Sequence, residues 1–81
     1  MTFEEALKQK NELGETYQLE SNKIAKVCVV PKNEDDLIRY SNEYRTNNFN
    51  DSSAKLYSSD SQFKVCALWT DGVNVIKKSL N

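Results

Sequence analysis

The sequence predicts a small α+β domain in which two helices and two β-hairpins alternate, helix–hairpin–helix–hairpin, with both helices on one face of an antiparallel or mixed sheet of four or five strands. Three stretches carry that prediction. Thr2-Phe3-Glu4-Glu5 is a capping box ahead of a helical apolar stripe, Asn33-Glu34-Asp35-Asp36 is an N-cap with acids ahead of a second stripe, and FKVCALWTDGVNVI over 63–76 is the most hydrophobic run and has a turn at its centre.

In the first helix the Thr2 hydroxyl is placed to accept from the third helical amide while Glu5 reaches back, and both acids suit the helix dipole. Phe3, Ala6, Leu7 and Leu13 form a narrow stripe, the stem of Lys10 fills its gap, and Gly14 supplies the C-terminal cap. Thr16 to Glu20 alternates polar and apolar as a half-buried strand does. Ser21-Asn22-Lys23 then turns into a more hydrophobic run from Ile24 to Val30; Pro31 cannot donate to a ladder, so it ends this strand or sits at an edge. The second helix follows Asn33, with Leu37, Ile38, Tyr40, Ser41 and Tyr44 on its amphipathic face. From 46 to 61 asparagine, serine and aspartate dominate. That stretch reads as a polar, flexible connection with at most a short element at Ala54–Tyr57.

The C-terminal hairpin turns on Asp71-Gly72, where glycine supplies a positive φ. A three-residue loop, Thr70-Asp71-Gly72, gathers Phe63, Val65, Ala67, Trp69, Val73 and Val75 on one face and leaves Lys64, Cys66, Leu68, Asn74, Ile76 and Lys78 on the other. A two-residue Asp71-Gly72 loop leaves both faces mixed, so the longer loop is the expected one. Lys26-Val27-Cys28 and Lys64-Val65-Cys66 echo one another, and as neighbouring central strands they would turn Val27, Val29, Val65 and Ala67 toward the helices, with both cysteines away from them.

At 81 residues the chain, 1–81, is expected to be one domain, or an independent piece of a larger chain, able to bury roughly 60–65% of its unfolded surface. The acidic start, MTFEEALKQK, is unlike a secretory signal and no run approaches membrane-spanning length, so a cytoplasmic protein without a membrane partner is expected. Two cysteines and no histidine fit that compartment. Lysine greatly outnumbers arginine, and asparagine and serine abound, a bias that A/T-rich genomes such as those of many phages and low-GC bacteria carry; an origin in a phage or mobile element is the expectation.

Catalytic and cofactor chemistry finds little purchase. A reactive cysteine needs a histidine, a cation or a helix N-terminus beside it, whereas Cys28 and Cys66 sit inside apolar strand-like runs. Two cysteines far apart in sequence do not supply a zinc ligand set, Asn48–Asp60 lacks calcium-loop order, and Gly14 and Gly72 are too few for a phosphate-cradling loop. No cofactor, no metal and no enzymatic activity are expected. With a net charge of −1 no global field favours nucleic acid.

The expected role is therefore a non-catalytic protein-binding module, an adaptor, inhibitor or accessory factor, that uses the sheet face left open by the helices. Its contacts would be Val30, Cys66, Leu68 and Ile76, rimmed by Lys64 and Lys78. The partner is another protein, or a second copy in a homodimer. The alternative is a weak nucleic-acid binder using the sheet-face lysines; the expected register buries Phe63 and Trp69, however, and so removes its stacking platforms.

Overall fold

The computed structural model describes residues 1–80, the Ser21 side chain excepted. In chain order it holds α1 (Phe3–Leu13), β1 (Thr16–Gln18), a 3-10 turn (Glu20–Asn22), β2 (Ile24–Pro31), α2 (Glu34–Tyr44), a 3-10 helix (Asp51–Leu56), β3 (Phe63–Asp71) and β4 (Asn74–Ser79). The strands form one antiparallel sheet in the order β1-β2-β3-β4. The class is α+β, as the sequence predicts.

Local chemistry sets the element boundaries. Thr2 Oγ1 accepts from the Glu5 amide at 3.1 Å while Glu5 Oε1 accepts from the Thr2 amide at 2.9 Å, which closes the capping box of α1. Gly14, at φ 96°, ends the helix by donating to the Lys10 carbonyl at 2.9 Å. Asn33 caps α2 by accepting from the Asp36 amide at 3.1 Å. In β2 the Val27 amide bonds outward to Glu15, so Pro31, four residues on, faces the same side. Its missing N–H lies where β1 no longer runs, and the β2–β3 ladder loses nothing.

The sidedness of the sheet departs from expectation. Val27 pairs with Ala67, Cys28 with Cys66 and Val29 with Val65. Alternation then puts Val27, Val29, Val65 and Ala67 on one face and Cys28, Val30, Cys66 and Leu68 on the other. All eight side chains are buried, so both faces are covered. The Phe3 ring in α1 meets Phe63 edge-on at 5.5 Å on the first face, and Glu34 of α2 reaches Lys64 at 3.6 Å on the second. The helices therefore flank the sheet rather than share a side. The near-continuous apolar runs Val27–Val30 and Val65–Leu68 are what a strand buried on both faces requires.

The hairpin register is also corrected. Asp71 pairs with Asn74 across a two-residue Gly72-Val73 loop, with Gly72 at φ 62° in its first position, the glycine placement of a II′ turn. Trp69 consequently faces Ile76 rather than Val73, and Val75 joins the Leu68 side. The longer loop was favoured because it made one face wholly apolar, a criterion that loses its force once both faces are packed.

The segment 46–61 is more than a polar connection. Its 3-10 helix lies along the part of β2 that β1 leaves uncovered, with Ala54 fully buried. Phe49 packs tilted against Tyr40 of α2 and Tyr57 meets it edge-on, with ring centroids 5.1 and 5.7 Å away. Asp36 anchors the segment's far end, accepting from the Ser59 amide at 2.8 Å and its hydroxyl at 2.7 Å.

Candidate interaction surface

Of the six contact residues expected from sequence, three are enclosed. Val30, Cys66 and Leu68 are 0%, 1% and 2% exposed beneath α2, so they belong to the core and offer no docking surface. Lys64 is half-buried beside Glu34. Ile76 is half-buried and Lys78 exposed, and the register moves both to the face that carries Trp69. The expected open strip does not exist on the Leu68 side because α2 occupies it.

What remains open is one corner of the opposite face. Tyr17 pairs with Ala25 and Trp69 with Ile76, and the Lys26–Leu68 pair beside them sets these two pairs next to one another across the sheet. Ala25 and Ala67 have no bulk to project, so half-buried Tyr17 and Trp69 stand on either side of a low floor. The Lys78 chain crosses that floor: its Nζ donates to Tyr17 Oη at 3.1 Å and lies 5.2 Å from the ring centroid. The result is a cleft of about 550 Å³ walled by Tyr17, Leu19, Trp69, Lys23 and Lys78, with no residue of α1 in its lining. Gln18 keeps its rim in place by donating to the Leu19 and Lys23 carbonyls at 3.1 and 3.2 Å.

The thiols fit a structural role. Cys28 and Cys66 are free, buried and directly opposite one another. Burial pushes the Cys28 thiol up to about 11 against the opposing pull of Lys26, and burial raises Cys66 likewise. Both shifts run against the thiolate that a cysteine mechanism needs. Among the described residues no three histidine, cysteine or acidic side chains cluster as a metal would require, and no helix is long and apolar enough to cross a membrane.

Two charged residues that sequence reading assigned no tertiary role hold the outer layer together. Lys10, 4% exposed, donates to Asp51 at 2.9 Å and to Glu15 at 3.2 Å, tying α1 to the 3-10 helix that covers β2. Burial alone would lower its pKa, but the two carboxylates outweigh that and raise it. A lysine at an apolar position of the α1 stripe was the available signal. Asp36 reads as a helix-dipole acid, yet its hydrogen bonds from Ser59, helped by Arg39, hold its carboxyl below the usual aspartate range.

Comparison with protein family models, with curated proteins and with solved structures gives no match. The functional reading rests on the geometry of the chain itself.

Proposed function

We propose that the chain is a non-catalytic intracellular protein-binding module, an adaptor, inhibitor or accessory factor, that engages its partner at the corner formed by Tyr17, Trp69, Ile76 and Lys78. The observation that carries this reading is the half-exposed Trp69, set with half-exposed Tyr17 and Ile76 at one corner of a sheet whose centre is sealed. Tryptophan and tyrosine set in a concavity with a charged rim are the side chains that dominate binding energy at protein interfaces. The buried thiols, with their raised pKa values, weigh against cysteine-based catalysis.

One observation also favours the second reading, a weak single-strand nucleic-acid binder: the stacking platforms missing from the expected register are present, because Trp69 and Tyr17 share the corner with Lys23 and Lys78. Salt separates the two. An aromatic-anchored protein complex persists as ionic strength rises, whereas phosphate contacts weaken steeply. Immobilised wild type should retain a partner protein at high salt that Trp69→Ala and Ile76→Ser lose while keeping wild-type circular dichroism. Equal retention by all three forms would refute the corner as the site.

A further inference from the structure

Beside β4, on the face covered by α2, lies a second concavity of about 240 Å³ lined by Ser41, Asn42, Arg45, Val73, Asn74 and Val75. Ser41 is 5% exposed, and its Oγ is the buried side-chain polar atom without a hydrogen-bond partner among the described residues. An orphaned buried hydroxyl costs stability, so its retention next to a guanidinium asks for a ligand. Arg45 spends one N–H on the Val73 carbonyl and keeps others available.

The strand alongside is also unfilled. β4 ends the sheet, and its inward bonds are fixed by the Leu80 amide donating to the Val65 carbonyl at 3.0 Å. By alternation Ile76 and Lys78 bond toward β3, which turns the N–H and C=O groups of Val75 and Lys77 outward. No acid occurs from Gly72 to Leu80, while Lys77 and Lys78 project to opposite faces. On α2, Ile38, Asn42 and Arg45 follow at helical spacing along one flank; Asn42 and Arg45 line the concavity and Ile38 is about half exposed. A strand edge and a helix flank thus border one groove.

We propose that this groove takes an extended acidic segment of the partner protein as a fifth strand, antiparallel to β4. The inference rests on the protein-binding reading and adds the chemistry of the segment. Main-chain bonds go to Val75 and Lys77. A carboxylate on the residue opposite Val75 enters the concavity and accepts from Arg45 and from the Ser41 hydroxyl. The next residue of the segment toward its N-terminus, opposite Ile76, lies in the row of Trp69 and is apolar. The Lys78 ammonium is turned away from this edge toward Tyr17, so the residue opposite Lys78 is unconstrained, whereas the residue opposite Lys77 shares the Val75 face and is acidic. Read from the N-terminus of the segment, the pattern is acid, apolar, acid. Lys77 and Arg45 repel a like-charged edge while attracting this one, so edge protection and recognition come from the same side chains.

A short synthetic peptide with a Ser-Glu-Val-Glu core in an uncharged Ser/Thr background is the probe, with a Ser-Gln-Val-Gln peptide as control, titrated against the intact chain. The acidic peptide should bind and should slow amide exchange at Val75 and Lys77. Lys77→Pro, which removes an outward N–H at an edge position that tolerates proline, should lose binding that Lys77→Ala largely keeps. Ser41→Ala should unfold no more easily than wild type yet bind roughly three- to tenfold more weakly, and Arg45→Gln more weakly still. Equal affinity for both peptides, unchanged exchange at Val75 and Lys77, or Ser41→Ala binding as wild type does would each overturn the proposal. So would a homodimer that Lys77→Pro dissociates, since a second copy would then fill the edge. If the groove fails these tests while a native partner is still lost with Trp69→Ala, the groove is refuted and the corner stands.

Discussion

Leu68 decides whether the second face of the sheet is core or surface. It is 2% exposed, opposite Lys26 on one side and Lys77 on the other, with Tyr44 of α2 beside it. Truncation to alanine removes its transfer energy and leaves a cavity that α2 cannot fill, a cost of about 3 kcal/mol. An 81-residue domain holds about 4–12 kcal/mol in total, so Leu68→Ala forfeits a large share of it. With a urea dependence of about 1.5 kcal/mol/M the unfolding midpoint falls by about 2 M, read by Trp69 fluorescence. Leu56→Ala, at a residue 81% exposed, is the control and should shift stability by less than about 0.5 kcal/mol. Alanine is the sharper probe than aspartate, because the flanking Lys26 and Lys77 ammonium groups would neutralise part of a buried charge at 68. A Leu68→Ala protein with the wild-type midpoint and abolished partner binding would refute the burial argument and restore Leu68 to a surface.

Lys10→Met should destabilise by about 1–2 kcal/mol in thermal melts, below the usual cost of breaking a buried pair, because Glu15 and Asp51 are solvated enough to rehydrate. Since the Lys10 pKa is raised on folding, its contribution is complete below about pH 10.5 and is lost as pH climbs through the raised value; Lys10→Met should flatten that alkaline slope, and an unchanged slope would count against the ion pair. Asp36 is the opposite case: its pKa is lowered, so its contribution is present above the ordinary aspartate value and disappears as pH falls through the lowered one. Asp36→Asn should reduce the acid sensitivity of unfolding, and a profile matching wild type would refute the Ser59 anchor. Native Cys28 and Cys66 should resist a thiol reagent at neutral pH and react only on unfolding; rapid labelling of the folded chain would contradict their burial.

Features whose causes are local were legible in the sequence. The Thr2–Glu5 box, the Asn33 cap, Gly14 and Pro31 each answer to neighbours within a few residues, and the structure uses them at those places. Sidedness was not legible in the same way. Whether Val30 and Leu68 face water depends on where α2 comes to rest, and its amphipathic pattern says that it packs without saying on which face. The hairpin register inherited that error, because apolar clustering on one side chose the loop. Lys10 and Asp36 show the same limit: their own elements are evident, but the partners Asp51 and Ser59 lie far along the chain. At the candidate site the strand positions of Ile76 and Lys78 are legible but their face is not, and nothing local to Tyr17 or Ser41 marks the cleft wall or the orphaned hydroxyl that the tertiary packing makes of them.

The strand order bears on how the chain reaches its native state. Each of β1–β2 and β3–β4 closes over a short turn, whereas the β2–β3 seam joins residues as distant in sequence as Lys26 and Leu68. Loop-closure entropy makes that seam the slow step, and the two hairpins can form in advance of it. Until the halves meet, the apolar runs of β2 and β3 stay exposed along their mating edges, the condition in which chains cross-pair during refolding. The polar stretch between α2 and β3 spans that gap, and its asparagines and serines keep the linking piece solvated while its ends search for one another.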